Sequence, residues 1–181
     1  MTRIAAAVRF TLLLLAINPS THARADTSSS VYLPLVTNGL APVAVTCAAV
    51  NREYEREVMR LLNVERAKVG LSGLAEDRSL TMAARCHSLD MATLDFLSHT
   101  GSNGSTAPER LLREGYTATY VGEIVGSGYI TPQDEVNGWM GSSLHRAILL
   151  LPAVTEFGAG YGYNPALEQA SRWTVDFGIA R

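Results

Sequence analysis

The sequence predicts an α+β domain in which helices cover an antiparallel sheet. Three observations carry this. Apolar residues recur at three- and four-residue steps through residues 47–96, the period of an amphipathic helix. Strand-like stretches come late: Thr119–Val125 in the middle, then Phe157–Tyr163 and Trp173–Ile179. Helices first and strands last is the order of an α+β domain, not of a doubly wound parallel sheet.

The chain opens on an export signal, residues 1–25. Arg3 and Arg9 make a basic start, Phe10–Ile17 is an apolar core, and Ala23-Arg24-Ala25 supplies small residues at the −3 and −1 positions of a cleavage site. An eight-residue core falls far short of the ~20 that a membrane helix needs. The later run Ala147–Val154 is also short and contains Pro152, so no transmembrane segment is expected after cleavage. The exported chain would hold 156 residues, enough for one domain with its own core. Cleavage removes three arginines and leaves 12 basic against 17 acidic residues, a net charge of −5. With no Lys/Arg cluster to neutralise phosphates, nucleic acid is excluded as a partner. A basic patch for anionic lipid headgroups is missing too.

Residues 26–46 read as an extended linker. Val31–Val36 has strand-forming residues, but Pro34 makes it either an edge strand or a tether. Residues 47–181 are then the folded domain. Its two cysteines, Cys47 and Cys86, form no C-x-x-C motif. Export permits a bridge between them; the alternative is one buried and one exposed thiol.

The first helix lies within Cys47–Gly70, with Val50, Tyr54, Val58, Leu61, Leu62 and Val69 on its apolar stripe and Gly70 as the C-terminal stop. Leu71–Glu76 reads as a loop. Asp77 caps a second helix over Arg78–Phe96, with Leu80, Ala84, His87, Met91 and Leu94 facing the core. Thr106 and Glu109 form a capping box for a short helix that stops at Gly115. Thr131 caps a helix that begins at Pro132 and runs to about Met140.

Three residues are candidates for chemistry. His99 sits in a glycine- and serine-rich loop after the second helix, a placement that is commonly functional. Glu123 lies in VGEIV, where a carboxylate among apolar neighbours is costly without a partner. His145 follows a small-residue turn and precedes an apolar run, so a buried segment is expected to hold it from one side. His87 falls on an apolar helical stripe and reads as a core histidine rather than a ligand. The spacings of 24 and 22 residues match no local metal motif. Two imidazoles and a carboxylate can hold zinc with positions open for water. Alternatively Glu123 fixes the tautomer of an imidazole, or it pairs structurally with Arg146 or a histidine.

Several ordered segments resemble a known family: Leu62-Asn63-x-x-Arg66, Gly70-Leu71-x-x-Leu74-x-x-Asp77-x-x-Leu80, Asp90-Met91-Ala92, Phe96-Leu97-Ser98-His99, Gly122-Glu123, Trp139-Met140-x-Ser142 and His145-Arg146. Together they are similar to the bacterial branch of the CAP superfamily, which holds the cysteine-rich secretory and plant pathogenesis-related proteins. The likeness spans roughly Val50–Ala180. It implies a three-layer α-β-α sandwich with a central antiparallel sheet and an open cleft. In that family two His and two Glu line the cleft, and the histidines can bind zinc. His99 and His145 match the two histidines, which makes them the implied metal ligands, with Glu123 as the G-E-N glutamate behind them. The second glutamate would fall near Ser142, where this chain has no acid. The family's two asparagines near the site are replaced by Ile124 and Ile148, which makes the surroundings more apolar.

The expected function is therefore an exported binding domain. Its cleft of two His and one Glu would take a zinc ion and an apolar ligand or a partner protein. The alternatives are a metal-dependent hydrolase, with His145 as base and His99, Glu123 and a metal-bound water taking part, and an envelope-associated structural domain with a vestigial site. Against hydrolysis stand the missing second carboxylate and the lack of a G-x-S-x-G elbow around Ser142 and Ser143.

Overall fold

The computed structural model describes residues 47–181. The expected export signal (1–25) and linker (26–46) lie outside the described residues.

Helix α1 (Arg52–Lys68) starts at Asn51, whose side chain accepts from Tyr54 N at 3.1 Å. It ends where Gly70 turns to φ +77° and Leu71 N–H returns to Arg66 O at 3.0 Å, a left-handed stop that a side chain would strain. Strand β1 is only Ala75–Glu76. Helix α2 (Arg78–Leu94) begins where Asp77 accepts from Leu80 N at 2.9 Å. Helix α3 (Ala107–Arg113) opens on the Thr106/Glu109 capping box. Strand β2 (Thr119–Ser127), helix α4 (Pro132–Gly141), helix α5 (Ser143–Leu149), strand β3 (Glu156–Tyr163) and strand β4 (Ser171–Ile179) complete the order.

The sheet runs β1-β3-β4-β2. β3, β4 and β2 are antiparallel neighbours, and only the two residues of β1 pair in parallel. Helices cover both faces, so the layers are those of an α-β-α sandwich. On one face Phe157, Ala159 and Tyr161 of β3 and Trp173, Val175 and Phe177 of β4 join Val58 and Leu62 of α1 and Trp139 of α4 in the main core. The other face of β3 is Gly158, Gly160 and Gly162, and α2 lies directly on it. A Cβ at Gly158 would overlap Thr81 N and Leu80 C, and one at Gly160 would overlap the Ala84 backbone. The small/aromatic alternation of FGAGYGY is thus an aromatic core face and a bare face for a helix.

Arg66 and Glu135 are among the polar side chains buried within this frame. Arg66, 1% exposed, donates to the carbonyls of Ser72, Leu149 and Leu151 at 2.9, 2.8 and 3.1 Å. It fastens the end of α5 to α1. Glu135 of α4 lies against Gly126 of β2, whose missing side chain leaves room for it. Its Oε2 has no partner among the described residues. Burial pushes this carboxyl up to about 8, so it is held as the neutral acid at pH 7.

Cys47 and Cys86 are bridged, with Cα atoms 5.0 Å apart. The bridge ties the chain just before α1 to the middle of α2 across 39 residues. In the loop-entropy account that contributes about 3–4 kcal/mol.

Three details differ from the sequence reading. Leu94 is 58% exposed, and Val50 and Val69 lie outside α1 and face solvent, because the apolar rhythm overshoots the helix ends. The 71–76 stretch supplies β1. The apolar run after His145 forms α5, a surface helix in which Leu149 is buried while Leu144 is 78% exposed. His145 is therefore held by a short helix and not by a buried segment.

Candidate functional site

The edge strand β2 has a cleft of about 430 Å³ beside it. Tyr120, Val121 and Glu123 of β2 line it, with Ala107 and Pro108 of α3 on one side and Ile148 of α5 on the other. His99, carried by the loop after α2, stands at its lip with 61% of its side chain exposed. Asp95 starts that loop in a left-handed conformation (φ +53°), and Arg172 of β4 anchors it with an ion pair to Asp95 at 2.7 Å.

Glu123 is the hub, and its side chain is 1% exposed. One carboxylate oxygen accepts from His99 Nδ1 at 2.8 Å, the other from Arg110 Nη2 at 2.5 Å. Arg110 also donates to Ser105 O at 2.9 Å and to His99 O at 3.2 Å. A buried carboxylate is thereby matched by one guanidinium and one imidazole, which is what makes its burial affordable. Because an ionised carboxylate only accepts, His99 Nδ1 carries a proton toward Glu123, and Nε2 is the ring nitrogen that Glu123 does not engage.

Asp176 of β4 is the cross-strand neighbour of Glu123. It is fully buried, and neither oxygen has a partner among the described residues. Burial first, then the charge of Glu123, pushes its carboxyl well above the usual range, with Arg110 acting the other way. Burial, Asp176 and Glu123 likewise push the Tyr120 phenol up. Two carboxyl groups thus lie side by side beneath the cleft, and the upward shift falls on Asp176.

His145 sits on α5, half-buried. Burial, and then the charge of His99, holds its imidazole below the ordinary value. The two rings are thus electrostatic neighbours, but no hydrogen bond joins His145 to His99 or Glu123 among the described residues. Arg146 does not pair with Glu123; it donates to Met140 O at 2.8 Å and closes the end of α4. His87, 1% exposed, lies beneath the His99 loop with Nε2 2.7 Å from Ser98 O. The core reading of His87 holds, with an added duty of holding the residue before His99. Burial lowers its pKa first of all causes and keeps it neutral.

Does this donor set suit zinc? Both oxygens of Glu123 are engaged, so the carboxylate stands behind His99 and does not face a metal. Among the described residues no group of three or more His, Cys, Asp or Glu side chains is placed to hold a metal ion. His99 and His145 are electrostatic neighbours, and with Glu123 engaged they fall short of the three-ligand arrangement of a catalytic zinc.

Sequence reasoning missed Arg110 and Asp176. The demand for a cation beside Glu123 was visible, and Arg110 lies between the two partners in sequence. Asp176 stands in WTVDFGI at the same parity as Thr174, which marks a polar inner face.

The model of the cysteine-rich secretory protein family matches residues 59–177. The Bacillus subtilis (strain 168) protein YkwD is 34% identical over 124 residues, covering 68% of this chain and 46% of that protein. The membrane protein YlbC of the same organism is 31% identical over 106 residues, covering 59% of this chain and 31% of that protein. The chain thus spans less than half the length of these relatives. Among solved structures, an extracellular protein containing an SCP domain from Bacillus anthracis str. Ames superposes with a TM-score of 0.62 at 25% identity, over 70% of this chain and 40% of that one. An outer surface protein of Borrelia burgdorferi shares the fold with a TM-score of 0.62 at 22% identity, over 72% of this chain and 95% of that one. With the family model covering well over half of its length, this chain belongs to the cysteine-rich secretory protein (CAP) family.

Proposed function

We propose that the chain is an extracytoplasmic binding module whose cleft takes an apolar ligand. The observation that carries this is the state of Glu123. A general acid or base must exchange a proton with a bound molecule, and Glu123 spends one oxygen on Arg110 and the other on His99. What remains for a ligand is the apolar lining of Ala107, Pro108, Val121 and Ile148, with the imidazole of His99 to orient it. No observation favours the hydrolase reading.

The test is saturable binding of a fluorescent fatty acid to the exported chain. Ile148→Asp puts a charge on the apolar wall and should weaken binding at least about tenfold, as one buried side chain's transfer energy implies. Equal affinity in wild type and Ile148→Asp would discard the apolar cleft.

Zinc belongs to the same proposal as a weak second ligand of His99 and His145. Each imidazole must be neutral to bind it. Since burial and His99 lower the pKa of His145, affinity should hold from pH 8 and fall only below roughly 6.5. Calorimetric titration should show His99→Ala and His145→Ala each losing the heat; unchanged affinity in both would remove zinc from the account.

A further inference from the structure

A groove of about 260 Å³ opens at the C-terminal end of β3 and shares no lining residue with the cleft. Its walls are Val50, Asn51 and Tyr54 around the start of α1, Tyr161 and Tyr163 of β3, and Ile130 of the loop before α4. The alternation of β3 sets Tyr161 and Tyr163 on the same face of the sheet, with ring centroids 6.3 Å apart. Tyr54 packs on Tyr161 at 5.4 Å, and Trp173 lies 4.3 Å from Tyr161 and stacks on Tyr54. The indole N–H of Trp173 donates to Tyr129 O at 2.8 Å, which ties down the loop that carries Ile130.

Four polar groups on these walls are left over. The side-chain oxygen of Asn51 caps α1, and its amide nitrogen has no partner among the described residues. The hydroxyls of Tyr54, Tyr161 and Tyr163 have none either. Tyr161 is 4% exposed, yet its hydroxyl is not one of the unpaired atoms sealed from solvent. A core tyrosine thus turns its one polar atom into the groove with nothing in the protein to meet it. No charged side chain lines the walls, so an ion would give up its hydration without a counter-charge. The matching ligand instead offers apolar surface to the rings, Val50 and Ile130, and hydroxyls that accept and donate along one edge. The volume, just below the roughly 300 Å³ at which drug-sized sites begin, suits one ring-sized unit.

We propose that this groove binds a neutral pyranose unit, with its C–H face against Tyr163 and Ile130 and its hydroxyls paired to Tyr54, Tyr161 and Asn51. The inference does not depend on what the cleft binds.

The experiment titrates the exported chain with the methyl β-glycosides of glucose, galactose and N-acetylglucosamine, and with tetrahydropyran, the same ring without hydroxyls. It reads the ring resonances of Tyr54, Tyr161 and Tyr163 by NMR. At least one glycoside should give saturable shifts with a Kd on the order of millimolar, the reach of so small a ligand, and tetrahydropyran should give none. Tyr161→Phe removes only a hydroxyl that pairs with nothing in the protein. Its urea midpoint should therefore hold while affinity falls about fivefold, the worth of one hydrogen bond. Tyr163→Ala removes the exposed ring and should abolish saturation. Shifts that grow linearly with all three glycosides would overturn the proposal, as would equal affinity in wild type and Tyr161→Phe. So would saturation by tetrahydropyran, or tighter binding of a proline-rich peptide or of tetramethylammonium at the same rings, since aromatic sites also take these.

Discussion

Gly158→Ala is expected to leave the domain unfolded where the wild type is native. The new Cβ would overlap Thr81 N and Leu80 C in the first turn of α2. Backbone cannot swing aside as a side-chain tip can, so α2 would have to lift from the sheet. That helix supplies Leu80, Ala84 and Met91 to the interior and leads into the His99 loop. The loss should exceed about 4 kcal/mol, a large part of the ~5–15 kcal/mol typical of a domain. Gly122→Ala is the control, since its Cβ would meet Ile148 Cγ2 at 3.5 Å, an ordinary contact. Urea unfolding followed by circular dichroism measures both. A Gly158→Ala midpoint near that of wild type would show that α2 is not seated on β3 as described.

Glu135→Gln should stabilise the domain, and more so as pH rises. The carboxyl titrates near 4.5 when unfolded and is pushed up to about 8 in the fold. Below pH 4.5 both states are protonated, and the group contributes no pH dependence. Between 4.5 and 8 the folded state holds a proton that the unfolded state has released, so stability falls with rising pH. The loss is complete above 8 and is on the order of 5 kcal/mol. Glutamine keeps the shape and cannot ionise. Its variant should match wild type near pH 4, exceed it strongly at pH 8.5 and show a flatter profile between. Parallel profiles for the two proteins would mean that Glu135 is solvated.

Much of the fold was legible because its signals are local. Asp77, Thr106 and Thr131 each sit where a helix starts, and the caps form as their side chains dictate. The alternation of Trp173–Ile179 is a two-faced strand, and the structure extends it back to Ser171. What failed also failed for physical reasons. The run AILLL looks like core, but only Leu149 is fully buried while Ile148 and Leu150 pack half-buried against the core and Ala147 and Leu151 face solvent, because a helix places its neighbours around its whole circumference. The two residues of β1 pair with a strand that lies 81 residues on, and no local pattern encodes that.

The site divides in the same way. His99 and Glu123 were visible as a placement and a cost, and the fold joins them at 2.8 Å. Arg110 carries no local signal in the sequence; only the tertiary fold turns it inward to Glu123. Asp176 drew no notice because its neighbour is another acid across the sheet. Buried like charges are too costly to anticipate without a proton to relieve one of them.

Glu123 clamps His99 rather than exchanging protons in the cleft. The ring nitrogens of His99 test it most directly, by ¹⁵N NMR at pH 7.5 in wild type and Glu123→Gln. The expected result is a proton held on Nδ1 in wild type, and loss of that preference in the variant. An Nε2–H tautomer in wild type, or the same tautomer mixture in both proteins, would contradict it.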